Sequence, residues 1–386
     1  QQAVDPMALH VDARRGYDGA SGSADAPLAT VGAAIARARA TGVKTVYLRG
    51  GVHHTSKITL GAADSGLTLA AYPGESPWLS GGVALKGLQW KREQGRVWSA
   101  SLAHLGVDAT VASLRVDGQR LSPARYPNAD PEKDFWPVGY LTSSESFKSD
   151  GGDWLDPTID PGPPNPATEV NVTVRGWDDQ FRTYSGGIGG TCAIYTPPFS
   201  FWCASPPFST GCGGCFTWNI PSGVEAHDLA NRSAGYTNVA DATFMAWRKA
   251  HWANWAFEVA SVEGSTVKFG RGGFQGARGG PGSDYFIQNV REELDDPTEF
   301  YFDVAAQRLY VVSNATAADD PPPGDEWVAI PAANHTLIDT RGTQASPVVN
   351  LTLRGLGLRD TAWTMLQPHG VPSGGDWALE RMAALF

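Results

Sequence analysis

The first third of the chain carries two kinds of hydrophobic spacing, one helical and one strand-like. An amphipathic helix is predicted within residues 27–42, and Gly42 is suited to end it. Its apolar residues recur at the spacing of one helix face: Val31, Ala34, Ile35 and Ala38. Short apolar segments that end at Gly or Pro follow, and we predict strands at 45–48, 57–60, 67–70 and 78–80.

The predicted strands recur at a nearly regular interval. The sequence separation between Val46 and Leu67, which hold equivalent positions in two predicted strands, is about the length of one coil of a parallel β-helix. A coil of this kind cannot bury its apolar face alone and must stack on its neighbours. The spacing therefore predicts an all-β, right-handed parallel β-helix, with the helix at 27–42 as an N-terminal cap over the open end of the first coil.

Several segments resemble one protein family. The runs DAPLAT (25–30), TVYLRGG (45–51), DSGLT (64–68) and AYPGE (71–75) resemble the start of secreted pectin-lyase-like proteins, and VVNLTLRGLGLRDT (348–361) resembles their later coils. These proteins are right-handed parallel β-helices, and many are glycoside hydrolases or polysaccharide lyases. The resemblance covers about half the chain, and it implies a polysaccharide or glycan as partner.

The regular spacing of the predicted coils is lost in the middle of the chain, which suggests that the chain has three parts. Residues 1–100 are predicted to hold the cap and first coils, 101–335 a β-rich inserted domain stapled by disulfides, and 336–386 the resumed coils. The last part is long enough for only about two coils and is expected to be incomplete. Its open end could pair with another chain, so self-assembly through this coil is an alternative to a longer protein.

Composition excludes several classes of protein. The chain has 386 residues with a net charge of −10, and no Lys/Arg run that would favour nucleic-acid binding. Its apolar stretches are only a few residues long, so no membrane span is expected. A hydrophobic content of 42%, with 14 Trp, is enough for a large core and excludes global disorder.

Two features predict a secreted, extracellular glycoprotein. Asn-x-Ser/Thr sequons, which accept glycans only in a secretory pathway, occur at five places: Asn171, Asn231, Asn314, Asn334 and Asn350. The four cysteines fall within a short segment, at Cys192, Cys203, Cys212 and Cys215. Their spacing favours two disulfides over a zinc site or free thiols, and the pairing is open.

The last predicted coils hold the densest set of groups suited to glycan cleavage. The candidate catalytic residues are Asp360, His369, Asp376, Glu380 and Arg381. Because glycosidases need paired carboxylates and lyases need a base, His369 is a candidate base and Asp376 a candidate acid, with Trp377 stacking on a sugar. The structural alternative is that Asp360 caps a turn, His369 bonds the loop backbone and Asp376 pairs with Arg381.

Two further clusters have both a structural and a functional interpretation. Phe244, Trp247, His251 and Trp255 recur at helical intervals, which is more typical of a core than of a sugar-stacking platform. No cofactor is expected, although Ca²⁺ is an alternative for the acidic group. That group otherwise forms a solvated face, and its members are Glu292, Glu293, Asp295, Asp296 and Glu299.

Two hypotheses about function follow from these observations. The first is a secreted enzyme that hydrolyses or eliminates a polysaccharide near the last coils. The second is a non-catalytic extracellular module that is structural, adhesive or filament-forming. Fold alone cannot separate them, because the same scaffold supports both roles.

Overall fold

The computed structural model describes residues 4–103, 110–128, 140–142, 169–175, 181–187, 223–247, 251, 254–272, 283–317, 319–366 and 383–385. The first nine strands are β1 (Leu9–Val11), β2 (Thr45–Leu48), β3 (Gly51–His54), β4 (Ile58–Gly61), β5 (Thr68–Ala71), β6 (Pro77–Ser80), β7 (Val83–Leu85), β8 (Lys91–Gln94) and β9 (Val97–Ser101). The α-helices are α1 (Val31–Thr41) and α2 (Ala230–Ser233), and 3₁₀ turns lie at Ala62–Asp64, His227–Leu229 and Arg291–Glu293.

The remaining described strands lie between residues 111 and 359. They are β10 (Val111–Val116), β11 (Gln119–Pro123), β12 (Arg125–Tyr126), β13 (Leu141–Thr142), β14 (Glu169–Arg175), β15 (Phe181–Gly187), β16 (Gly223–Glu225), β17 (Thr243–Trp247), β18 (Asn254–Glu263), β19 (Thr266–Gly272), β20 (Asp284–Gln288), β21 (Glu299–Asp303), β22 (Arg308–Val312), β23 (Trp327–Pro331), β24 (Ile338–Arg341), β25 (Thr352–Arg354) and β26 (Gly357–Arg359).

Helix α1 forms where its spacing predicts, and its ends have clear physical causes. The Thr30 hydroxyl accepts a hydrogen bond from the Ala33 amide at 3.1 Å, which caps the first turn. Gly42 ends the helix with φ of 74°, a conformation that favours glycine. The apolar face of the helix packs into a core with β1, β2, β4, β5 and β6. Strand β1 precedes the helix, so the prediction of a cap at the N-terminus is wrong.

Three small sheets of the described chain contain only parallel pairings. They have the orders β1-β2-β5-β25, β3-β6-β26 and β4-β24. In the first sheet Leu9 pairs with Val46, Val46 with Leu69, and Leu69 with Leu353, so one apolar residue per strand enters a shared core. Strands β24 to β26 therefore complete sheets that begin with β1 to β6, although more than 270 positions separate β5 from β25.

Most of the described strands instead belong to antiparallel or mixed sheets. An eight-stranded sheet has the order β7-β23-β10-β11-β21-β22-β9-β8, and only its β11–β21 pairing is parallel. A seven-stranded antiparallel sheet contains β12, β13, β16, β17, β18, β19 and β20, and β14 pairs with β15. Each large sheet has its own apolar core, centred on Phe300 and Phe302 in the first and on Phe244 and Phe257 in the second.

The prediction of an all-β, right-handed parallel β-helix is therefore wrong for this chain. Apart from the β11–β21 pairing, parallel pairing among the described strands occurs in sheets of two to four strands, whereas the two largest sheets are built mainly from antiparallel neighbours. The cause is the segment from 83 to 331, whose strands pair through hairpins and long-range antiparallel contacts. Strand β9, for example, lies beside β22, with Trp98 opposite Val311. A coil spacing read from the first 80 residues carries no information about such pairings.

Phe244, Trp247 and Trp255 are strand residues and not part of a helix. Phe244 and Trp247 lie in β17, Trp255 lies in β18, and all three are buried, as a core requires. The helical interval arises because two antiparallel strands each bring an aromatic residue to the sheet.

Two sets of predictions lie outside these observations. The four cysteines are outside the described residues, and the limits 1–100, 101–335 and 336–386 remain predictions. Among the helices that the structure describes, none has both the length and the apolar character needed to cross a bilayer.

Candidate functional site

A cleft of about 1030 Å³ is the candidate functional site. One wall is the β10–β11 hairpin and the opposite wall is the segment Asp360–Trp363, while Pro322 and Pro323 close one side. Arg125 and Gln288 line the end nearest the seven-stranded sheet. The cleft therefore lies where strands of both large sheets meet the end of β26, and its size is that of an ordinary small-ligand or oligomer site.

The hairpin carries two arginines to the cleft. Arg115 on β10 lies opposite Arg120 on β11 in the antiparallel register, so both side chains emerge on the same face. The turn between them is formed by Asp117 and Gly118 with φ of 47° and 82°, which is typical of a tight hairpin. The Asp117 carboxylate accepts hydrogen bonds from the Asp325 and Glu326 amides at 2.9 and 2.8 Å, which fixes the hairpin tip.

Two like charges opposite each other on a hairpin are unfavourable, and Asp360 compensates for one of them. The Arg115 Nε donates to Asp360 Oδ1 at 2.8 Å, and the Ser80 hydroxyl donates to Oδ2 at 2.7 Å. The Nε of Arg359 also lies 3.1 Å from Oδ2. This carboxylate has no solvent-exposed surface, so it joins the hairpin to β6 and β26.

Arg125 enters the cleft from β12, where it pairs with Gln288 of β20. Its guanidinium carbon lies 4.9 Å from the centre of the Phe286 ring, a cation–π geometry that orients the head group. Its backbone amide donates to Glu299 Oε1 at 3.1 Å. Glu299 is buried directly behind Pro297 and Thr298 of the cleft wall, and burial raises its pKa to about 8.

Two tryptophans add apolar surface to the cleft. Trp327 is buried in the eight-stranded sheet, whereas Trp363 is 38% exposed and follows the Asp360 wall. An exposed indole beside several polar groups is suited to stacking on the apolar face of a sugar ring. Three arginines and two aspartates line this cleft, so the described lining is cationic in a chain whose net charge is −10.

Of the predicted catalytic residues, Asp360 lies in the cleft wall. His369, Asp376, Glu380 and Arg381 lie outside the described residues. Both oxygens of Asp360 are engaged with Arg115, Ser80 and Arg359, an arrangement that resembles the structural alternative more than a proton-transfer group. The catalytic roles of all five residues remain predictions.

The sequons have different environments. Asn231, Asn314 and Asn350 are exposed, and Asn314 lines the cleft. Asn334 is half-buried, and its amide nitrogen donates to the Gly81 carbonyl at 2.7 Å. Asn171 lies in β14. Glycosylation at each of them remains a prediction.

The acidic group at 292–299 does not converge on one point. Glu293 is buried and accepts from Arg232 and Tyr236, Glu292 accepts from Thr237, and Asp295 accepts from Asn128. Within the described ranges, no three His, Cys, Asp or Glu side chains are grouped to hold a metal ion. The geometry therefore gives this group several separate partners.

Sequence reasoning missed Arg115, Arg120 and Arg125 as site residues. They occur as single charges within three short strands, and nothing in their spacing indicates that they face a common space. The alternation of β11 and its hairpin partner could have placed Arg115 and Arg120 on one face, but Asp360 is 245 positions away from Arg115.

No family model matches this chain, and no curated protein matches it either. A solved structure described as a glycoside hydrolase is similar, with a TM-score of 0.55 and 18% identity over 92% of this chain. A second, described as the complex structure of XylC with xylose, has a TM-score of 0.24 and 18% identity over 30% of this chain and 21% of its own, too low to support an argument. The chain spans about half the first protein, 51% of its length, and what the likeness shows is a fold shared with a carbohydrate-active protein.

Proposed function

We propose that this chain forms the polysaccharide-binding part of a glycan-cleaving enzyme, and that the glycan lies in the cleft between the β10–β11 hairpin and Trp363. The observation that carries the proposal is the cleft itself, which combines a half-exposed indole with three arginines. The fold shared with a glycoside hydrolase supports a carbohydrate as the ligand class.

The charge of the cleft supports an anionic sugar over a neutral one. Arg115 is neutralised by Asp360, whereas Asp117 is turned toward the backbone amides at 325 and 326. The lining also contains Arg120 and Arg125, and its three arginines outnumber its two aspartates. A guanidinium presents a rigid fork of donors that matches a carboxylate or sulfate group. A uronic acid or a sulfated sugar fits this lining.

The reaction is proposed as cleavage of a glycosidic bond by hydrolysis or elimination, carried out outside the cell. The predicted base His369 and acid Asp376 follow the cleft wall in sequence, only a few residues after Trp363. Secretion is supported by the sequons and the cysteine cluster. The competing function, a non-catalytic extracellular module, predicts binding without any cleavage.

Binding is tested by calorimetric titration of the full chain with polygalacturonate, alginate, xylan and soluble cellulose derivatives. Trp363→Ala and Arg120→Gln are expected to weaken binding of an anionic glycan about tenfold, since each removes one stacking or charged contact. Trp78→Ala and Arg14→Gln are matched controls, because Trp78 is 43% exposed and Arg14 is exposed but neither lines the cleft.

The outcomes separate the alternatives. No binding to any of these glycans, or equal loss in the cleft and control variants, contradicts the proposal. Cleavage is followed as new reducing ends, with Asp376→Asn and His369→Ala as variants. Binding without cleavage by the wild-type chain supports the non-catalytic module instead.

A further inference from the structure

A histidine–aspartate pair lies on the seven-stranded sheet, away from the cleft wall. The Nε2 of His251 is 2.6 Å from Asp284 Oδ2. Because an ionised carboxylate only accepts hydrogen bonds, Nε2 carries the proton, and in the neutral ring Nδ1 is an acceptor. The side chains are 14% and 16% exposed, so the pair is largely enclosed but still reached by solvent.

The backbone at His251 has an uncommon conformation. Its φ is 59°, in the left-handed region that side chains other than glycine rarely adopt. The imidazole is stacked on Trp247, with ring centres 5.5 Å apart and an angle of 20° between the planes. Tyr140 completes the cluster, with its ring centre 5.0 Å from that of Trp247 and 6.3 Å from that of His251. Residues held in such conformations concentrate at functional sites, where the surrounding structure fixes them.

One face of strand β20 connects this pair with the cleft. Tyr285 and Ile287 enter the core of the seven-stranded sheet, so Asp284, Phe286 and Gln288 share the opposite face. Gln288 lines the cleft, and Asp284 binds His251. Four residues of extended strand span about 13 Å, so the pair lies more than one sugar ring beyond the cleft.

The same face is flanked by residues from other elements. Arg125 lines the cleft and lies over Phe286, and Tyr140 is 5.9 Å from that ring. The segment that begins at the cleft wall continues past Trp363, and its Met365 and Leu366 pack against the cluster of Trp247 and Phe286. Arg125, Phe286 and Trp247 are buried, so these groups form one packed cluster that connects the cleft lining with His251.

We propose that the His251–Asp284 pair is a distal sugar-binding subsite, in which Nδ1 of His251 accepts a hydrogen bond from a sugar hydroxyl. The subsite rests on the proposed function, because it receives the part of an oligosaccharide that extends beyond the cleft. The pair is a binding site for hydroxyl groups, and Asp284 is a positioning residue that fixes the imidazole ring and its tautomer.

The subsite predicts that the effect of its variants depends on ligand length. The probes are oligogalacturonides and xylo-oligosaccharides from the monomer to the hexamer, titrated into the full chain. Wild-type affinity is expected to rise with length until the ligand reaches His251. His251→Asn is expected to lose about tenfold affinity for the longest bound probes and none for the shortest. Asparagine is chosen because it tolerates the left-handed conformation but is too short to reproduce the contact.

Asp284→Asn tests the positioning role separately. The variant keeps the size of the side chain but can donate to Nε2, which moves the ring proton to Nδ1 and removes the acceptor. It is expected to weaken the binding of long probes as His251→Asn does. The nitrogen chemical shifts of the imidazole report the change of tautomer. His227→Asn is the matched control, because His227 is an exposed histidine of the same sheet region. Circular dichroism and thermal unfolding confirm that each variant is folded.

The possible results are distinct. Loss confined to long probes supports the subsite. Affinity that does not rise with length, or equal changes for short and long probes, overturns the subsite and leaves cleft binding intact. Absence of binding by the wild-type chain at every length overturns the proposed function, and the subsite with it.

Discussion

Arg115 and Asp360 are 245 positions apart, and the guanidinium of one holds the buried carboxylate of the other at 2.8 Å. The pair fixes the β10–β11 hairpin against the end of β26, so two segments distant in sequence form opposite walls of one cleft. Its enclosed geometry has an energetic consequence. A buried charge pair contributes little net stability, but removal of one partner leaves the other charge unpaired.

We predict that Asp360→Asn lowers the free energy of unfolding by about 3–5 kcal/mol, because it leaves Arg115 and Arg359 without their shared carboxylate. Asparagine is suitable because Asp360 has φ of 62° and asparagine tolerates this region. Urea unfolding measures the change. The double variant Asp360→Asn/Arg115→Met is expected to recover part of the lost stability, since it also removes one of the two arginine charges that no longer face a carboxylate at position 360.

The control for this prediction is the pair formed by Lys268 and Glu263. Its atoms are 3.3 Å apart, but its side chains are 57% and 67% exposed, so Glu263→Gln is expected to change stability by less than about 0.5 kcal/mol. A small effect of Asp360→Asn, together with complete loss of glycan cleavage, would contradict the structural role and favour the predicted catalytic one.

The buried Glu299 predicts that the chain becomes less stable as the pH rises. Burial raises its pKa to about 8 from an ordinary value of 4.5, so the folded chain holds this proton more tightly than the unfolded chain. The stabilisation is complete below the pKa that Glu299 has in the unfolded chain, and it is lost as the pH rises through the pKa that Glu299 has in the folded chain. We therefore expect Glu299→Gln to flatten the decrease in unfolding free energy between about pH 5 and about pH 8, on the order of a few kcal/mol.

Glu75 provides a comparison of opposite sign. Its hydrogen bonds with Arg49 hold the pKa of Glu75 below its usual range, so this carboxylate stabilises the fold at neutral pH and loses that effect as the pH falls. Glu75→Gln is thus expected to destabilise most at pH 7 and least in acid. If Glu299→Gln leaves the pH dependence of chemical unfolding unchanged, Glu299 does not retain its proton in the folded chain.

The parts of the fold that follow from local spacing were predictable. The strands β2, β4, β5 and β6 are within one residue of their predicted places, and helix α1 lies inside its predicted range of 27–42 but begins at Val31. The pairing of β25 with β5 was also accessible, since residues 348–361 repeat the pattern of the earlier strands. The expectation of a carbohydrate ligand came from the same resemblance, and it remains a proposal.

The antiparallel sheets and the cleft were not predictable in this way. The eight-stranded sheet joins β9 to β22, more than 200 residues later, and β10 to β23 at a similar distance. Such pairings depend on which edges meet in three dimensions, and the alternation within a single strand does not encode them. The same reason hides the cleft, because Arg115, Arg125 and Trp363 approach one another only after both large sheets have formed.

A buried histidine predicts that stability also decreases in acid. Burial and the nearby Arg49 lower the pKa of His10, whose ring packs against Tyr47 and Tyr72 with both ring centres 5.7 Å away. Because the unfolded chain binds this proton more readily, the stabilisation is full above about pH 6.5 and is lost as the pH falls. His10→Phe keeps an aromatic ring in the stack, and it is expected to reduce the fall in Tm between pH 7 and pH 5.

The exposed His227 gives the control for His10. His227→Asn is the comparison variant, because it also replaces one histidine but at an exposed position. The absolute Tm of His10→Phe is not the readout, because a larger ring changes packing at every pH. An unchanged slope in His10→Phe would show that His10 is protonated as easily in the folded chain as in the unfolded one.

The sequon at Asn314 predicts a conflict between glycosylation and ligand binding. Asn314 is exposed and lines the cleft, so a glycan on its amide would occupy the volume proposed for the polysaccharide. Chain produced in a host that glycosylates Asn314 is expected to bind anionic oligosaccharides about tenfold more weakly than chain from a host without N-glycosylation. Thr316→Ala removes the sequon but keeps Asn314, and it is expected to restore binding in the glycosylating host.

Thr352→Ala serves as the matched control, because it removes the sequon of Asn350, which is exposed but does not line the cleft. Mass spectrometry of the glycopeptides establishes occupancy at each asparagine, and calorimetric titration gives the affinities. Full occupancy at Asn314 with undiminished affinity would place the ligand elsewhere on the molecule. Because occupancy and affinity are measured on the same preparation, this result would show that the ligand binds outside the cleft, whichever oligosaccharide the ligand is.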